Sequence, residues 1–226
     1  MDAHPLDRPI WASLTTRQQS LSFGDARARR LDPAFGVFAA AADRSEAARA
    51  GLADLVRAHG AAALVEASEP DVPQGLEIAS RAILWQMIAE PPKIIAPDFD
   101  WVDLTDEDAP QMLALAELTK PGPFFARTHQ LGEFVGVKRD GELVAMAGER
   151  MKPSGFTEVS GVCVHPDHRG HGYAAALMSL LAERILERGE TPFLHVYDSN
   201  TPAIAIYERL GYRLRREMTL LVVAAA

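Results

Sequence analysis

From about Pro97 onward the apolar positions switch between periods of two and 3.6 residues, and turn residues punctuate each switch. Trp101-Val102-Asp103-Leu104 reads as a short strand, followed by a helix to about Leu118 that Thr105 or Asp106 can cap. Pro121-Gly122-Pro123 breaks it. Residues 133–138 and 142–147 flank Arg139-Asp140-Gly141, and Asp-Gly between apolar runs predicts a hairpin. Residues 156–164 form a third strand, set off by Lys152-Pro153-Ser154-Gly155. The next helix repeats at Ala174, Leu177, Met178, Leu181 and Ile185 and stops at Gly189. A strand over 192–197 leads to Ser199 or Asn200 as helix cap, with Pro202 in the first turn. Ala203, Ile206, Tyr207 and Leu210 share one face of that helix. Gly211 ends it, and residues 212–223 supply one long bent strand or two short ones. The order β-α-β-β-β-α-β-α-β predicts an α/β fold with a mixed central sheet flanked by helices.

The earlier chain is less regular. Residues 30–40 read as a strand, 45–59 as an amphipathic helix, 61–66 as a strand and 76–88 as another. Pro91-Pro92 and Pro97 mark a boundary, dividing the chain into 1–95 and 96–226. Hydrophobic residues at 48% and charged residues at 24% fit an ordinary globular protein, and 226 residues suffice for a large core. A net charge of −8 argues against a general nucleic-acid binder. The clusters Arg27/Arg29/Arg30 and Arg213/Arg215/Arg216 are read as solvated surface. Cys163 is the single cysteine, so no intrachain disulfide can form, and within an apolar strand it reads as a small buried hydrophobe. Met1-Asp2-Ala3-His4-Pro5 shows no secretory pattern, and no apolar run reaches membrane-spanning length. Cytoplasmic residence without a membrane partner is the expectation.

One stretch carries chemistry. After the strand ending Val162-Cys163-Val164, His165-Pro166-Asp167-His168-Arg169-Gly170-His171-Gly172 turns directly into the helix opening Tyr173-Ala174. Such a turn aims free backbone N–H groups outward at a helix N-terminus, where the dipole adds partial positive charge. Gly170 and Gly172 remove side chains from the approach, and Arg169 adds a fixed cation. The construction suits a pyrophosphate. No GxxxxGK[ST] run exists, and Gly170-His171-Gly172 is only the first half of a dinucleotide fingerprint. By itself the turn could equally be a tight strand-to-helix connection.

The turn resembles the acyl-CoA signature of the GNAT superfamily of N-acyltransferases, Arg/Gln-x-x-Gly-x-Gly/Ala, with Arg169-Gly170-His171-Gly172 read as a compressed form. Two more segments resemble that family: Asn200 to Tyr212 follows Asn-x-x-Ala-x-x-x-Tyr-x-x-x-Gly-Phe/Tyr, and Glu158 to Val164 looks like the strand that pairs with pantetheine. The resemblance implies a GNAT acyl-CoA N-acyltransferase fold over 96–226. Residues 1–95 resemble the partial GNAT-like α/β domain of glycine N-acyltransferase-like members, which would lie on the acceptor side.

By the same resemblance, N–H groups of Arg169, Gly170, His171, Gly172, Tyr173 and Ala174 would hold the pyrophosphate of acetyl-CoA. Backbone groups of Val162 and Val164 would pair with pantetheine, and an N–H near Val162 or Cys163 would polarise the thioester. Asn200 is either a pantetheine contact or a helix cap, and Tyr207 is the general acid or a core side chain. Glu158, placed by alternation on the face of Ser160 and Val162, is the base or an exposed strand-end carboxylate. His165, His168, His171 and His195 lack metal-ligand spacing, so no metal is expected. The implied activity is N-acetyl transfer from acetyl-CoA to a primary amine of a small-molecule or peptide acceptor. The alternative is a non-catalytic acyl-CoA sensor or docking module. Acidic composition favours a cationic amine. The sequence leaves a homodimer open.

Overall fold

A computed structural model describes residues 4–226, so Met1, Asp2 and Ala3, on which part of the leader reading falls, lie outside the described residues. In chain order the elements are α1 (Pro9–Leu14), β1 (Ser22–Gly24), β2 (Ala28–Leu31), β3 (Ala39–Ala41), α2 (Glu46–His59), β4 (Ala62–Glu66) and β5 (Leu76–Ala89). They continue with β6 (Val102–Asp103), α3 (Ala109–Thr119), β7 (Phe134–Arg139), β8 (Glu142–Glu149) and β9 (Phe156–Val164). The last are α4 (Tyr173–Glu187), β10 (Thr191–Tyr197), α5 (Thr201–Arg209) and β11 (Tyr212–Ala225).

Eight strands form one mixed sheet in the order β4-β11-β5-β10-β9-β8-β7-β6, and β1-β2-β3 form a small second sheet. Strands from both sides of the Pro91–Pro97 connection share the large sheet: β5 lies between β10 and β11, antiparallel to each. Leu177, Leu181 and Ile185 of α4 and Ile204 of α5 pack with Met87, Ala89, Val135, Val159 and Leu194 on one face. On the other face α3 packs Met112 and Leu115 against Phe134, Met146 and Cys163, while Ile10 and Leu14 of α1 join Phe35, Phe38, Leu131 and Phe193. Among the described residues no helix is long and apolar enough to cross a membrane.

Local chemistry explains the element ends. Thr105 closes a capping box with Asp108 ahead of α3. Asp140 and Gly141 both have positive φ, as a tight two-residue hairpin turn requires. Ser45 accepts from Ala48 N–H and caps α2. The strand expected over 30–40 is two short strands, because Asp32 turns the chain: its backbone oxygen accepts from Phe35 and Gly36, and its carboxylate from Ala34. Arg30, expected on the surface, is buried, and its guanidinium donates to the carbonyls of His59, Gly60 and Ala61 at the C-terminus of α2. Trp11 and Trp85 are partly buried against the two main clusters, as junction packing.

Candidate active site

α4 is a fifteen-residue helix without a side-chain cap, preceded by Gly172 at φ +75° and Gly170 at φ +84°. The N–H groups from Gly170 to Ala175 have no acceptor among the described residues. Nothing lies within 4 Å of a Cβ built on Gly170 or Gly172, so glycine serves the left-handed backbone and the open approach rather than packing. Arg169 is exposed and makes no ion pair among the described residues. Three histidines shape the turn: His165 Nδ1 accepts from Asp167 N–H, His171 Nδ1 meets His168 O at 3.1 Å, and His168 packs edge-on against His165. Tyr173 anchors it from below, stacked with His171, edge-on to Phe99 and accepting from Arg139 Nε at 3.2 Å. An uncapped helix end with a row of free donors and one free cation is chemically suited to an anion.

Beside this turn the sheet opens. β9 and β10 are parallel and pair only from Phe156–Thr191 to Glu158–Phe193. Beyond that point β10 follows β5 to Tyr197, and the facing edge of β9 over 159–164 is left without β10. The register between β8 and β9 also slips: Met146 faces Cys163 while Gly148 faces Ser160. Gly161, at φ +63°, is in the extra stretch of this bulge. Strict alternation from Glu158 to Val162 therefore fails. Val162 packs with Val159 and Val164 on the α4 face, whereas Cys163 packs on the α3 face. Burial pushes the Cys163 thiol up to about 11, in keeping with a packing role.

Tyr207 is partly buried against the α4 cluster, its ring 6.3 Å from that of Tyr212. Burial raises its pKa above the ordinary phenol value, so the hydroxyl is held protonated. The Tyr212 hydroxyl is buried without a partner among the described residues. Asn200 Oδ1 accepts from Ala203 N–H at 3.4 Å, the cap reading.

Glu158 is fully buried. Its Oε1 accepts from Arg150 Nη2 at 2.7 Å and from His195 Nδ1 at 2.8 Å; Oε2 accepts from Arg150 Nε at 2.9 Å and Met151 N–H at 3.3 Å. Burial alone would raise the carboxyl, but the Arg150 guanidinium, helped by His195, outweighs it and holds the pKa at about 2. A carboxylate so committed is a poor proton acceptor. The strand-end exposure expected for it is corrected as well, because β10 and the residues after β8 close over it. Behind it, Gln86 Nε2 donates to His195 Nε2 and to Leu6 O, and Arg215 joins Gln86 Oε1 to Asp7. Neither Arg150 nor Gln86 carries a local sequence signal.

The whole molecule has a near counterpart. A GNAT-family protein of Novosphingobium aromaticivorans DSM 12444 superposes with a TM-score of 0.92 at 45% identity, covering 99% of this chain and 100% of its own. The chain belongs to the GNAT family. Residues 134–221 match the FR47-like protein family, a span that contains the bulge, the glycine turn and Tyr207. A GCN5-related N-acetyltransferase from Kribbella flavida shares the GNAT fold over 96% of this chain, with a TM-score of 0.64 at 23% identity. Among curated proteins, an acetyltransferase of Sodalis glossinidius is 41% identical over 59 residues, which spans only 42% of that relative's length. Against the GNAT signature the turn is not compressed: Arg169, Gly172 and Ala174 stand at the full Arg-x-x-Gly-x-Ala spacing. Among the described residues no cluster of metal-ligating side chains occurs.

Proposed function

We propose that this protein is an N-acetyltransferase that moves an acetyl group from acetyl-CoA to a primary amine by direct transfer in a ternary complex. The observation that carries the reading is the uncapped, donor-rich N-terminus of α4 set beside the splayed strands β9 and β10. N–H groups from Gly170 to Ala174 and the Arg169 side chain would hold the pyrophosphate, the Arg169 backbone N–H being already given to Pro166 O. The β9 edge from Val162 to Val164 would pair with the pantetheine amides, with an N–H at the bulge polarising the thioester carbonyl. Asn200 would keep its capping role and reach the arm only through its amide. Residues 1–95 would form the partial GNAT-like layer bordering the acceptor side.

In the transfer, the amine nitrogen attacks the thioester carbon, the C–S bond breaks, and the departing thiolate takes the proton of Tyr207 Oη. A phenol kept protonated by burial suits that role. The amine proton leaves through water, which returns a proton to the Tyr207 phenolate, and Glu158 acts as a positioning residue for Arg150 and His195 rather than as the base. Screening an amine library with acetyl-CoA and detecting free thiol tests the reading. Amine-dependent thiol release supports it; tight acetyl-CoA binding with no release from any amine would establish the sensor alternative.

A further inference from the structure

A narrow cleft of about 10 Å³, room for one small group such as a carboxylate oxygen, opens against the bulge, bordered by Pro121 to Phe124, Thr128, Phe134, Ser160, Gly161 and Arg150. Arg150 is the one ionisable side chain among the described residues that border it. Its guanidinium is fixed from behind: Nε and Nη2 bind the two oxygens of buried Glu158, and the Phe38 ring lies 4.9 Å from Cζ. The third nitrogen is different. Nη1 has no hydrogen-bond partner among the described residues and faces the Pro121–Pro123 loop, where a Cβ built on Gly122 would come within 3.9 Å of it. Glu158 is shut off from the cleft, so the side of the ion pair that meets solvent is the cationic one.

We propose that Arg150 Nη1 is the recognition point for a carboxylate on the acceptor, and hence that the acceptor is a compact amine bearing a carboxylate close to its nitrogen. The inference rests on the transferase reading and names the substrate class of that site. The geometry meets the requirements of such recognition. Two arms of the fork are spent on immobilisation, by a carboxylate that His195 and Met151 N–H also hold, so the third projects with little freedom left to lose. Ser160 lies beside it on the bulged strand, and Gly161 next to it marks where the acyl group would arrive. The other walls are Phe124 and Phe134, packed edge to face, Pro121 and Pro123 alongside, and Thr128, whose hydroxyl accepts from Phe125 N–H and donates to Phe35 O. A polyamine or a lysine side chain would bring a second positive charge toward this guanidinium. The local field thus reverses the preference for cationic amines that the net charge of −8 implies.

The test uses the full chain with acetyl-CoA and matched acceptors: L-alanine and L-threonine, their amides, and ethylamine. The expected result is a kcat/KM at least tenfold higher for each acid than for its amide or for ethylamine, expressed mainly in KM. Arg150→Lys keeps a cation for Glu158 but withdraws the third arm, so the acid-to-amide ratio in kcat/KM should fall to near one, with calorimetric acetyl-CoA affinity showing that the variant is folded. Amides or ethylamine used as well as the acids by the wild-type protein would overturn the proposal while leaving the transferase reading intact, and this comparison decides even if the variant fails to fold. If no amine releases thiol, the transferase reading falls. The Arg150 site is then judged by calorimetry, where N-acetyl-L-alanine should bind at least tenfold more tightly than N-acetyl-L-alaninamide; equal affinities overturn it.

Discussion

At the scale of single residues, the site separates groups that are free from groups that are spent. Arg169 is free, so Arg169→Ala should remove contacts to a bound anion and nothing else. Acetyl-CoA affinity measured by calorimetry should fall by about 1–3 kcal/mol, with an unchanged melting temperature. Tyr207 differs because most of its ring is packed. Tyr207→Phe should keep that packing and acetyl-CoA binding while turnover drops by roughly 10²–10⁴-fold. Unchanged turnover would make Tyr207 a core residue only. The glycine turn was legible because its chemistry is local: arginine, two glycines and a helix start within a few residues. Arg150 was not legible. Its meaning comes from Glu158 eight residues on, Phe38 far upstream and Gly122 on another loop, and no periodicity links them.

At the scale of elements, strand and helix limits after Trp101 followed the sequence closely, since caps and glycines sit at nearly every end. The bulge is the exception. One positive-φ glycine in an apolar strand does not announce whether the strand bends or simply continues, and the parity of every later side chain depends on the answer. Arg150 just after β8, Glu158 in β9 and His195 in β10 tie these three strands together, which gives this part of the sheet a defined acid response. Glu158 has a folded pKa of about 2, below its ordinary value near 4.5, so its contribution is present above about pH 4.5 and is lost as pH falls toward 2. Chemical denaturation between pH 7 and pH 2 should show a loss from this group on the order of 2–3 kcal/mol. A double replacement, Arg150→Met with Glu158→Gln, should flatten that part of the profile.

At the scale of the molecule, the 1–95 and 96–226 segments are neighbours in one sheet rather than bodies joined by a linker. Met87 and Ala89 of β5 are fully buried in the same cluster as Leu177 and Leu194. A chain beginning near Ala96 should therefore lose its cooperative melt and its acetyl-CoA affinity together, measured by scanning calorimetry and ligand titration. A truncated protein that melts cooperatively and still binds would show that β10 and β11 can close on each other without β5. Composition and periodicity could not reveal this arrangement, because the order of strands in a sheet is set by which edges meet and not by any one segment.

The central place of β5 also has a temporal side. Both neighbours of Leu76–Ala89 are made late: Thr191–Tyr197 on one edge and Tyr212–Ala225 on the other, where Ala226 N–H finally donates to Gly75 O. On a ribosome, a fourteen-residue strand must wait with both edges bare until Thr191–Tyr197 has been synthesised, and with one edge bare until Tyr212–Ala225 follows. Its exposed run Glu77–Arg81 places two charges among those residues, Glu77 and Arg81, as brakes on pairing with another nascent copy. Closure of this sheet then waits on translation of Thr191–Tyr197 and Tyr212–Ala225, and the yield of active protein should respond most to slow codons or stalls between residues 89 and 191, when both edges are bare.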